Sequence, residues 1–101
     1  MTKSRAWQTD LMTALEDPLE AASYLNAALD DGDKEVFLLA LRNVADARLG
    51  SMSKLSIATG LNRESLYRML SEKGNPEFKS LNRLLHALGL KLAVEVDAHA
   101  T

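Results

Sequence analysis

Cysteine is missing from this chain, so it can form neither a disulfide framework nor a thiolate metal site, and nothing points to an oxidising compartment. Long apolar runs are missing too. The longest, residues 36–41, is far too short to span a membrane, and the N-terminus holds charges and Trp7 without an apolar signal core. A soluble, cytoplasmic protein with no membrane contact is expected, such as one inside a bacterial cell. Catalytic furniture is also scarce. His86 lies in a helical run with no second His, Cys or acidic residue at ligand spacing, no Gly-rich phosphate loop follows a strand, and no nucleophile–base pair stands out. The reading is therefore not an enzyme, with no cofactor, metal or catalytic residue, and with His86 at the surface or its boundary. At 101 residues the chain is one domain, large enough for a modest core.

An excess of positive charge is lacking as well, since the net charge is −2. Its distribution is uneven. Residues 1–47 hold four basic side chains (Lys3, Arg5, Lys34, Arg42) against nine acidic ones, a local balance of −5. Residues 48–91 reverse it, with eight basic side chains against Glu64, Glu72 and Glu77, a balance of +5. A DNA duplex would feel the field of that second half rather than the net charge, and the acidic half suggests a further, basic partner.

The basic half contains the stretch around which the chain is organised, residues 53–70, SKLSIATGLNRESLYRML. It reads as two short helices joined by a tight turn, the layout of a DNA-binding helix-turn-helix. Leu55 and Ala58 give the first helix an apolar side, Gly60 suits a positive φ at its end, and Leu61 plugs the angle between the helices. Asn62 is a strong N-cap for the second helix, where Leu66, Met69 and Leu70 share a core-facing stripe. Arg63, Glu64, Ser65, Tyr67 and Arg68 are left on the outer side or at the helix start. Arg pairs with guanine, Asn reads adenine, and hydroxyls and helix N-termini hold phosphates, so this outer set suits nucleic acid. An ordinary αα-hairpin with a solvated face is the alternative.

The rest of the chain surrounds this motif. Residues 1–16 lack a cap and a sustained period and read as an N-terminal arm, with Trp7 either a lid on the core, the favoured reading, or an interface anchor. Asp17-Pro18-Leu19-Glu20 starts a helix that runs to about Asp30, with Leu19, Ala22, Leu25, Ala28 and Leu29 as its stripe and Gly32 as its stop. A second helix, capped by Asp33 and ending near Arg48 before Gly50, is apolar over so much of its surface (Val36, Phe37, Leu39, Ala40, Leu41, Val44, Ala45) that it should be central. Ser51 or Ser53 then caps the motif. Residues 71–76 form a breaker that places Lys73 beside the second motif helix, and a last helix, about 78–88, puts Leu81, Leu84, Leu85 and Leu88 on one face before Gly89. Five helices are expected. Beyond them Leu90, Leu92, Val94 and Val96 alternate with Lys91, Ala93 and Glu95, the pattern of a half-buried strand over 90–97, before a frayed tail at 98–101 that includes His99. A lone strand needs a ladder, so it should pair with another chain, in a symmetric homodimer or on a partner's sheet.

The strings AASYLNAALDDGD (21–33), FLLALRNVADAR (37–48), GSMSKLSIATGLNRESLYRMLSEKGNPEF (50–78) and LNRLLHALGLKL (81–92) closely resemble the HigA-like addiction-module antidote proteins, a branch of the Xre and Cro-type helix-turn-helix superfamily. The resemblance covers residues 17–92. It implies an all-α, lambda-repressor-like domain that neutralises a small RelE/ParE-type toxin and, as an antitoxin in a toxin-antitoxin module, represses their shared promoter. Its DNA-binding positions fall on Asn62, Arg63, Glu64, Ser65, Tyr67 and Arg68, with Ser53 and Lys54 from the first motif helix. Ser56 stands where the general motif prefers Ala, and Thr59 where it prefers a larger apolar residue. A stand-alone Xre-type regulator without a toxin, and a protein-interaction module that does not bind DNA, are the competing readings.

Overall fold

The computed structural model of the protein describes residues 2–98, with side chains from Trp7 onward. Within these residues the chain forms six helices and no strand: α1 (Thr2–Ala14), α2 (Pro18–Asp31), α3 (Lys34–Leu49), α4 (Met52–Thr59), α5 (Arg63–Met69) and α6 (Phe78–Ala87). The all-α class stands. The five-helix count and the C-terminal strand are overturned.

Most helix starts have a cause visible in the side chains. The Leu19 amide donates to Asp17 Oδ1 at 2.9 Å ahead of α2, with Pro18 in its first turn, and the Glu35 amide donates to Asp33 Oδ1 at 2.8 Å ahead of α3. Of the two candidate serines, Ser51 caps α4, accepting the Lys54 amide at 3.1 Å. These bonds occupy amides that no intrahelical carbonyl can reach.

The sixth helix comes from the segment read as an arm. Leu11, Met12 and Leu15 bring the end of α1 and the residue just after it onto the core, and α1 packs on α3. Those three positions lie too close together to set up a period across the whole segment. Trp7 is 62% exposed, so it is not a lid on the core. As expected, α3 is central. It packs against α1, α2 and α4, with Leu38, Leu41 and Val44 wholly buried, while Val36 and Leu39 remain exposed at its edge. Burial of each such leucine contributes about 1.5–3 kcal/mol. The buried row of α2 is Ala21, Leu25 and Ala28, whereas Leu19 and Leu29, both expected in the core, are exposed.

The strand fails because its first residue belongs to a helix terminus. After α6, Gly89 takes a φ of +81°, its amide donates to the His86 carbonyl at 3.0 Å, and the Leu90 amide reaches back to Leu85 at 2.8 Å. This is a Schellman closure. It customarily tucks an apolar residue at the position of Leu90 against the helix, and Leu90 packs on the core accordingly. Residues 91–97 continue without strand structure, with Leu92 partly exposed and Val94 and Val96 almost fully so. His99 and the rest of the tail beyond Ala98 lie outside the described residues.

Candidate nucleic-acid interface

The turn between α4 and α5 is held by side chains as well as backbone. Gly60 closes α4 at φ +75°, the positive value expected of it. Leu61 follows, clamped on both sides. Its carbonyl accepts from Ser56 Oγ at 2.6 Å, and its amide donates to Thr59 Oγ1 at 3.1 Å, while that hydroxyl donates to Leu55 at 2.8 Å. The two residues that depart from the general motif are thus the ones that fix the turn. Thr59 takes the buried place expected of Ala58, which is exposed. Its hydroxyl needs partners there, and the turn supplies them.

Asn62 caps α5 as expected, its Oδ1 accepting the Ser65 amide at 2.7 Å. Leu66, Met69 and Leu70 are buried. With that face fixed, Arg63, Glu64, Tyr67 and Arg68 are exposed, Tyr67 by 60%, and Ser65 is half-buried. Ser53 and Lys54 are exposed on α4, and Lys73 on the loop after α5. Among the described residues no ion pair or side-chain hydrogen bond occupies Lys54, Arg63, Arg68 or Lys73. Arg68 and Lys73 meet with Ser65 around one open depression of about 520 Å³, while Arg63 stands apart from it.

Gly74 makes the loop that carries Lys73. A Cβ there would lie 2.2 Å from the Met69 carbonyl oxygen and 2.9 Å from that of Arg68, so only glycine lets the chain fold this closely over the end of α5. One further cation of the basic half borders the α4–α5 turn: Arg83 brings its Nη1 beside Gly60, while Lys79 is exposed on α6. Sequence spacing could not associate Arg83 with that turn. Only the packing of α4 on α6 does so. Arg48, counted with the basic half, and Arg42 are instead committed to backbone carbonyls inside the fold. His86 is exposed, as expected.

Residues 6–96 match the family described as probable addiction module antidote protein. The chain belongs to that family. A relative of this antidote, an uncharacterised protein of Haemophilus influenzae, is 36% identical over 91 residues, which is 90% of this chain and 92% of the relative. No solved structure matches. Membership in the family gives the antidote a toxin partner of some kind. Among its described residues no helix is long and apolar enough to cross a membrane. Leu90, Leu92, Val94 and Val96, expected in an intermolecular ladder, follow α6, and of these Leu90 and Leu92 lie with α2 and Phe37 around a common groove.

Proposed function

We propose that the antidote is a HigA-like protein of the Xre helix-turn-helix type, which neutralises a RelE/ParE-like toxin in the cytoplasm and represses the promoter of their shared operon. The observation that carries the DNA-binding part is the two-sidedness of α5. Its inner face is fixed by Leu66 and Met69, and its outer face presents the side chains of Arg63, Tyr67 and Arg68 with no partner among the described residues. Guanidinium groups held in the open on a capped helix suit bidentate contacts to guanine in the major groove. Lys73 and Lys54 flank it for phosphate, and Asn62, whose Oδ1 is engaged in the cap, retains its amide nitrogen for a backbone contact.

A homodimer belongs to this reading as well. One copy offers few free cations, two copies double them, and a two-fold protein matches an operator with half-sites roughly 10 bp apart. Titration of labelled duplex from upstream of the antidote's own gene tests the reading. Tight binding that competitor DNA of unrelated sequence cannot displace supports it. Binding that unrelated DNA abolishes leaves a protein-interaction module.

A further inference from the structure

The acidic half of the antidote carries an apolar surface that the DNA-binding reading does not use. On α2, Leu19, Ala22, Asn26 and Leu29 recur at helical spacing beside the buried row, and Leu19 and Leu29 are 77% and 52% exposed. Ala22 and Leu29 join Phe37 and Leu92 in lining a mainly apolar groove of about 220 Å³ between α2 and the segment after α6. A second hollow, about 350 Å³, shares Leu29 and Phe37 and extends to Asp33 and Pro76. Leu29 and Phe37 therefore border two adjoining hollows, an arrangement that could receive successive side chains of one incoming helix.

The surroundings are acidic. Within the linings Asp33 and Glu95 balance Lys34 and Lys91, and the acidic surplus comes from the exposed Asp30 and Asp31 at the end of α2, next in sequence to Leu29. Asp30, Asp31 and Glu95 have no ion-pair partner among the described residues. A symmetric second copy would bring the same carboxylates against these, which is unfavourable. A partner whose apolar side chains are flanked by Lys or Arg meets both features at once.

We propose that this groove is the toxin-binding site, receiving a basic amphipathic segment of the toxin while α4 and α5 remain free for DNA. The inference rests on the antidote reading of the family and adds the surface and the chemistry of its partner. The direct test is calorimetric titration of the intact antidote with the protein encoded by the adjacent gene, using Leu29→Lys, Leu92→Lys and Glu95→Lys. All three positions lie at the surface, and thermal melting checks that each variant folds. Leu29→Lys and Leu92→Lys should weaken binding about tenfold or more, as loss of a buried apolar anchor does. Glu95→Lys should weaken it a few fold, mainly by slowing association. Duplex binding should be unchanged in all three. Toxin binding that survives both leucine substitutions overturns the groove while leaving the antidote reading intact. Failure of the unmodified protein to bind the neighbouring gene product overturns the antidote–toxin pairing itself. If the leucine variants turn a dimer into a monomer and toxin binding persists, the groove belongs to a second copy and the proposal falls.

Discussion

Arg48 Nε donates to the Leu88 carbonyl at 2.7 Å, tying the middle of the fold to the end of α6. Its Nη1 donates to the Glu16 carbonyl, also at 2.7 Å, just beyond α1. One guanidinium from α3 thus satisfies carbonyls at the ends of two other helices, where no intrahelical donor remains and where the helix dipole favours a cation. Arg42 does the same for Leu70 at the end of α5.

Arg48→Met should accordingly destabilise the protein by about 2 kcal/mol, since both bonds come from a charged donor and Arg48 is half-buried. Arg48→Lys should recover only part of this, because an ammonium cannot reproduce the planar fork. Chemical denaturation measures the loss. DNA affinity at low temperature should stay at its parent value in both variants, which separates this cation from those on α5.

Thr59→Val keeps the shape of a buried side chain but removes the acceptor of the Leu61 amide. A loss of about 1–2 kcal/mol is expected. Ser56→Ala should cost less, because Ser56 is only half-buried and water can approach the carbonyl it leaves. Melting curves of the two variants give the order, and a larger loss for Ser56→Ala would contradict the account of the turn.

The two glycines that flank α5 should also respond differently. At Gly60 the obstacle is the left-handed backbone alone, since an added Cβ meets nothing closer than Arg83 Nη1 at 4.0 Å, and Gly60→Ala should cost about 1–2 kcal/mol. At Gly74 the added Cβ would overlap the Met69 carbonyl, and backbone must move. Gly74→Ala should therefore melt lower than Gly60→Ala, and it should weaken DNA binding as well, because the displaced loop carries Lys73.

Helices whose ends are written in local chemistry were legible in the sequence. Asp17 with Pro18, Asp33, Asn62 and the glycines at 32, 50 and 60 act within a few residues of themselves, so they mark α2 to α5 without knowledge of the fold. The outer face of α5 was legible for the same reason, since Leu66, Met69 and Leu70 fix it. What depends on tertiary packing was not. Helix α1 is held by contacts at its end, the exposure of Leu19 and Leu29 depends on which row of α2 meets α3, and Arg48 acts on carbonyls far away in sequence. The segment after α6 misled because a Schellman closure and a strand both favour an apolar residue at Leu90.

The central claim is that α5 binds DNA through its outward cations. It is tested most directly by measuring the affinity of the antidote for labelled duplex from upstream of its own gene over a range of salt concentrations, beside Arg63→Ala and Arg68→Ala. If Arg63 reads a base, its loss should cost about 1–3 kcal/mol and relax preference at one position of the operator. If Arg68, which shares a depression with Lys73, holds a phosphate, its loss should lower the salt slope by about one at every sequence. Both variants should melt with the parent. Operator affinity and salt slope unchanged in both, with the fold intact, would contradict the claim.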